Sequence, residues 1–156
     1  MSRVTLVVHN LRSAHNVGSI LRTADGAGVE RVYCVGTTPT PVDRFGRKRQ
    51  DIAKVALGAE TSVSWEYRAE LVPLLGELKT EGYRLVALEQ DERAVDYGSL
   101  ALEARMALIV GPEVGGLDKD VLDLVDVVVE IPMHGSKESL NVSVAAGIAL
   151  FALRTS

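Results

Sequence analysis

The stretch IPMHGSKESLNVSVAAGIALF, residues 131–151, runs from an aliphatic strand end through a polar, glycine-containing loop into an apolar helix without a spacer. Ser139 is placed to cap that helix, which the pattern predicts over 140–153. Its first backbone N–H groups would then face whatever the loop encloses. The helix is apolar or small almost all round, so it is expected to be buried on several sides. Ala145, Ala146, Gly147 and Ala149 allow very close packing. The polar groups at its mouth, Ser139, Asn141 and Ser143, either cap the helix only or serve a ligand.

Outward from this stretch, strand and helix patterns alternate. Short aliphatic runs at 4–8, 31–35, 84–88, 106–110 and 127–131 read as strands buried on both faces. Helical patterns at 16–27, 50–57, 69–81, 119–125 and 140–153 separate them, and 63–67 adds an extended piece. The expectation is an α/β fold: one domain over residues 1–156 with a mainly parallel sheet and helices on both faces. Ligands of such sheets bind beyond the carboxyl ends of the strands. The polar or glycine-rich segments at 9–18, 89–93, 111–116 and 133–139 fall there.

Composition bounds the function classes. At 156 residues, 47% hydrophobic and 24% charged, the chain is ordinary for a soluble domain. A single cysteine, Cys34, excludes an intramolecular disulfide and fits a reducing cytoplasm as a small buried hydrophobe. The sequence shows neither an export leader nor an apolar run of about 18 residues, so no membrane partner and a cytoplasmic location are expected. A net charge of −4 is not the signature of a generic nucleic-acid binder. One segment departs from that average. Residues 41–54 carry Arg44, Arg47, Lys48, Arg49 and Lys54 against Asp43 and Asp51, and in an acidic protein this is either a solvated loop or a seat for a phosphate backbone.

Two further segments carry chemistry. In His15-Asn16-Val17-Gly18-Ser19-Ile20-Leu21-Arg22, an Asn16 cap would put Gly18 and Arg22 four apart on one helix face. The guanidinium would then lean over bare backbone, an electropositive notch suited to a phosphate or a developing oxyanion. In 108–117, a buried strand runs into Gly111-Pro112-Glu113-Val114-Gly115-Gly116, whose glycines permit close approach of a ligand and whose Pro112 stiffens the turn. The segment has neither the GxGxxG order of a dinucleotide site nor the GK[ST] of a P-loop. His9, His15 and His134 are assigned no role.

Asn16-x-Gly18 with Arg22, then Gly111-Pro112-Glu113 with Gly115-Gly116-Leu117, then Ile131-Pro132-Met133 followed by Ser139-Leu140-Asn141-Val142-Ser143, in this order, closely resemble the SpoU (TrmH) family of SPOUT RNA methyltransferases. The resemblance covers essentially the whole chain, and Ala56-Leu57-Gly58-Ala59-Glu60 is also similar. It implies methyl transfer from S-adenosylmethionine to a ribose 2′-hydroxyl of tRNA or rRNA, by a homodimer whose subunits complete each other's sites. It implies a SPOUT-type fold with a C-terminal trefoil knot, which no general rule of chain topology would suggest. Cofactor contacts are expected from Leu88, Glu89, Val110, Gly111, Ile131, Met133, Ser139 and Leu140.

For catalysis the resemblance points to Arg22, Asn16, Glu113, Ser139 and Asn141, with no metal. A guanidinium hardly ever loses its proton, so Arg22 is expected to stabilise the developing alkoxide or anchor phosphate rather than act as a base. Asn16 would position Arg22 or the ribose, and the other three would complete a hydrogen-bond network. The basic cluster Arg44, Arg47, Lys48 and Arg49 is expected to hold RNA, with Phe45 stacking on a base or pinning the loop to the body. Many relatives carry an accessory RNA-binding domain, and the short ones include enzymes that methylate the tRNA wobble ribose, which ranks tRNA ahead of rRNA. Two other readings stay open: a catalytically inactive RNA-binding or assembly protein of this fold, and an α/β enzyme acting on a small nucleotide-like molecule.

Overall fold

The computed structural model describes residues 2–154. Seven strands, β1 (Arg3–His9), β2 (Arg31–Val35), β3 (Trp65–Arg68), β4 (Arg84–Leu88), β5 (Val95–Asp96), β6 (Arg105–Val110) and β7 (Val127–Glu130), form one sheet. Its order is β3-β2-β1-β6-β4-β7-β5, and every neighbouring pair is parallel. The helices are α1 (Ala14–Ala27), α2 (Gln50–Ala56), α3 (Ala59–Ser62), α4 (Leu71–Thr80), α5 (Lys119–Leu124) and α6 (Val142–Ala152). The two-residue β5 has too little apolar pattern for a sequence reading to find it.

Strand alternation sorts the core into two layers. Val4, Leu6, Val8, Val32, Cys34, Val86, Met106, Leu108 and Val129 face α1, α2 and α6. Their neighbours Val7, Tyr33, Val35, Leu85, Ala87, Ala107, Ile109 and Val128 face α4 and α5. The expected fold class therefore holds, and the sheet is wholly parallel rather than mainly so. Cys34 is buried as expected, and burial pushes its thiol pKa up to about 12. Among the described residues, no helix is long and apolar enough to cross a membrane.

Two helix starts differ from the sequence expectation, and both differences matter for the site. Ser13, not Asn16, caps α1, its side chain accepting from the Asn16 backbone N–H at 3.1 Å. Asn16 thus lies inside the first turn with its amide free to bond elsewhere. Asn141, not Ser139, caps α6 by accepting from Ser143 N–H at 2.9 Å. Residues 139–141 consequently stay outside the helix, because Asn and Ser compete for the same orphan donors and the later residue wins here.

The expectation that α6 is buried on several sides also fails in the single chain. Ala146, Ala149 and Leu150 are covered, but Val144 and Phe151 are 51% and 57% exposed. They are seven residues apart, two helical turns along one face.

Candidate active site

The carboxyl ends of β4, β6 and β7 open together onto one cavity of about 570 Å³. Its wall comes from Leu88, Glu89 and Gln90 at the end of β4, from 110–113 with Gly115 and Gly116 after β6, from Glu130, Ile131 and Met133 after β7, and from 139–142 with Ala145 at the mouth of α6. Asn16 reaches in from α1. This is the position at which a parallel sheet binds ligands: beyond the carboxyl ends, where loops diverge.

Glu113 organises the rim. Its carboxylate accepts from the backbone N–H groups of Arg12 (3.2 Å) and Ser13 (3.1 Å) and from Asn16 Nδ2 (3.1 Å). Asn16 Oδ1 in turn accepts from Asn141 Nδ2 at 3.4 Å, so one chain of hydrogen bonds joins the post-β6 turn, α1 and the cap of α6. Burial alone would raise the Glu113 pKa, but these donors outweigh it and hold the carboxyl below its ordinary value. Ser139 lines the same cavity but makes no hydrogen bond to this network.

Two glycines in this region serve close packing rather than an open notch. At Gly18 an added Cβ would lie 2.8 Å from both Ile52 O and Val55 Cβ, so α2 presses directly on α1 there. The electropositive notch expected over Gly18 is therefore filled by α2. At Gly111 the Leu117 side chain lies 2.8 Å from the Cβ position, so the 111–117 loop folds onto its own first residue. Gly116 has φ +66°, and a Cβ there would run into the Glu89 carboxylate, which accepts from Leu117 N–H at 2.9 Å. Glu89 thus holds the loop as well as lining the cavity.

Arg22 is the residue that the single chain does not bring to the cavity. Six positions separate it from Asn16, or roughly 240° of rotation and 9 Å of rise, so the two point from different sides of α1. It lines a separate depression of about 420 Å³ with Ser19, Thr23, Gly26, Val55 and Phe151, beside the exposed face of α6.

This sheet order and rim coincide with a match to the family model described as SpoU rRNA Methylase over residues 3–151. The chain belongs to the SpoU family. A TrmH-family tRNA/rRNA methyltransferase relative from Staphylococcus haemolyticus is 36% identical over 146 residues, 94% of this chain and 56% of its own length. The 23S rRNA (guanosine-2′-O-)-methyltransferase RlmB of Nitrosomonas europaea is 38% identical, again over 94% of this chain and 54% of its own. Among solved structures, the AdoMet-bound rRNA methyltransferase from Sinorhizobium meliloti superposes with a TM-score of 0.88 at 25% identity, covering 97% of this chain and 56% of that one. The SpoU chain thus spans little more than half the length of these relatives.

The residues present fit S-adenosylmethionine. Leu88, Val110, Ile131, Met133, Leu140, Val142 and Ala145 line the cavity with apolar surface that would suit an adenine ring. Three carboxylates, Glu89, Glu113 and Glu130, line the cavity, and no Lys, Arg or His does. That balance favours a cationic sulfonium and disfavours a phosphate-bearing nucleotide. Every residue expected to touch cofactor lies in this wall. Gln90, in the polar segment 89–93 expected at the ligand end of the sheet, lines it too, and so do Glu130 and Ala145, which sequence reasoning missed. Glu130 was readable as the last polar residue of a buried strand, whereas Ala145 is marked only by helix phase. Among the described residues no group of three or more His, Cys, Asp or Glu could hold a metal ion.

Proposed function

We propose that this SpoU chain transfers a methyl group from S-adenosylmethionine to a ribose 2′-hydroxyl of RNA, with tRNA ranked ahead of rRNA. The observation that carries the reading is the cavity's charge: three carboxylates, an apolar wall and no cation, at the carboxyl edge of a SpoU sheet. The same observation speaks against a small nucleotide-like substrate where that molecule carries phosphate. Bound there, the cofactor would supply an electrophilic methyl on a positively charged sulfur.

The chain's own residues would do the rest. A 2′-hydroxyl is a poor nucleophile at neutral pH and must be held in line, its developing charge met by a preorganised donor. Glu113, Asn16 and Asn141 form a bonded rim that can hold the ribose, and Ser139 adds a free hydroxyl beside it. Arg22 faces away from its own cavity, so its role as the cationic donor requires a homodimer in which Arg22 of the partner subunit enters the site. Its place beside the exposed Phe151 of α6 supports that arrangement. The trefoil knot of the family would form the loops after β4, β6 and β7. Arg44, Arg47, Lys48 and Arg49 would hold the RNA backbone.

The deciding experiment is methyl transfer from labelled cofactor into total RNA of a strain lacking the protein, followed by nucleoside analysis. A labelled 2′-O-methyl nucleoside in the tRNA fraction is the expected result. Label in rRNA alone would replace tRNA, and no label in any RNA together with no cofactor binding would end the enzyme reading. Arg22→Ala should leave cofactor affinity intact and raise the barrier by about 2.7–4 kcal/mol, the effect of removing one preorganised oxyanion donor.

A further inference from the structure

The expectation that Phe45 pins the basic loop to the body fails: the residue is 66% exposed at the tip of an ordered turn. Val42 and Lys48 form an antiparallel bridge, and Arg49 N–H donates to Pro41 O at 2.9 Å. Inside that clasp Asp43 Oδ1 accepts from the backbone N–H groups of Phe45 and Arg47, both at 2.9 Å, while Oδ2 accepts from Arg47 Nε at 3.1 Å. Gly46, at φ +78°, closes the turn. The ring is therefore presented outward by a scaffold of backbone bonds, with little freedom left to lose on binding.

Its surroundings identify what it fits. The Arg44 and Arg47 guanidiniums lie over the ring at 4.8 and 5.0 Å from its centroid, and Lys48 and Arg49 follow directly. Arg47 and Arg49 are ion-paired with Asp43 and Asp51, which orients them without burying them. An apolar partner would have to desolvate these cations around the phenyl face. A nucleotide answers both features, a base for the ring and a phosphate for the guanidiniums.

Position adds a second argument. All strands are parallel, so the loop after β2 leaves the same edge of the sheet as the loops around the cavity. Only β1 separates β2 from β6, which puts the strands that deliver the two loops about 10 Å apart. The intervening turns are tied together: Thr37 N–H donates to Asn10 Oδ1 at 3.0 Å, and Thr38 Oγ1 donates to Val8 O and accepts from Leu11 N–H.

We propose that Arg44, Phe45 and Arg47 form a stacking platform for an unpaired base of the RNA substrate, a few nucleotides from the methylated ribose. This rests on the RNA methyltransferase reading above. The test uses the full chain, tRNA as ligand and inorganic polyphosphate as a polyanion without bases. Phe45→Ala should bind tRNA about 5- to 150-fold more weakly, the span of a lost base–aromatic stack, with polyphosphate and cofactor binding unchanged. Phe45→Trp should restore tRNA affinity, and Arg44→Gln with Arg47→Gln should weaken both polyanions and flatten the salt dependence.

Unchanged tRNA affinity in Phe45→Ala would overturn the platform, as would equal losses for tRNA and polyphosphate. A shift in oligomeric state with tRNA affinity intact would assign the ring to a contact between copies and overturn it as well. If the unaltered chain binds no RNA, the function reading itself fails, which separates the two outcomes.

Discussion

Glu113 shows how one carboxylate sets the geometry of a site. It is held ionised by three donors, two of them backbone N–H groups at the start of α1. Its folded pKa is depressed, so the stability it adds is full above the ordinary glutamate value of about 4.3 and is lost as pH falls through the lowered folded value. Urea unfolding between pH 6 and 3 should therefore show a smaller acid loss for Glu113→Gln than for the parent, and parallel curves would mean that the rim donors do not couple to its charge. Gly116 makes the complementary point. With φ +66° and the Glu89 carboxylate where a Cβ would go, Gly116→Ala should cost about 1–3 kcal/mol in chemical denaturation. A change of a few tenths would show that the 111–117 loop relaxes freely.

At the scale of elements, α6 has two different faces. Ala146, Ala149 and Leu150 close the core, whereas Val144 and Phe151 project from it, Phe151 beside Arg22. The same helix therefore carries its cap residues into the cavity and leaves an apolar stripe exposed, which the proposed homodimer would cover. Val144→Asp with Phe151→Asp should weaken self-association about 30-fold or more, the equivalent of ~2 kcal/mol at an interface centre, while the folded monomer persists. Sedimentation against concentration reads this directly. A monomeric parent, or an unaltered dimer in the double variant, would remove α6 from the interface and with it the path of Arg22 to the site.

For the whole molecule, the cavity belongs to no single element, since loops after three strands and the mouths of α1 and α6 must all be in place. Cofactor should therefore bind only the folded chain and stabilise it globally. At a concentration one hundred times its dissociation constant, S-adenosylmethionine should add about 2.7 kcal/mol to the unfolding free energy, read as a rise in melting temperature. A nucleoside triphosphate should add much less, because the carboxylate-lined wall offers no cation to its phosphates. A larger shift with the triphosphate would reverse the assignment of the cavity.

The sequence by itself determined the strands other than β5, the two-layered core and the segments that line the cavity, because these depend on local periodicity and on strand ends, which a chain displays along its length. It also marked Asn16, Glu113 and Asn141. What only the tertiary structure decided was how they meet: Glu113 pairs with Asn16 across 97 positions and Asn16 with Asn141 across 125. Which neighbouring polar residue caps a helix, Ser13 over Asn16 and Asn141 over Ser139, depends on where the preceding strand delivers the chain. That choice directs the Asn16 amide into the rim. Helix phase leaves Arg22 beside the exposed face of α6, and the pressing of α2 onto Gly18 fills the notch expected under the guanidinium. Phe45 is exposed because the Asp43 carboxylate accepts from the backbone of the turn, a local geometry that composition and charge counting could not reveal.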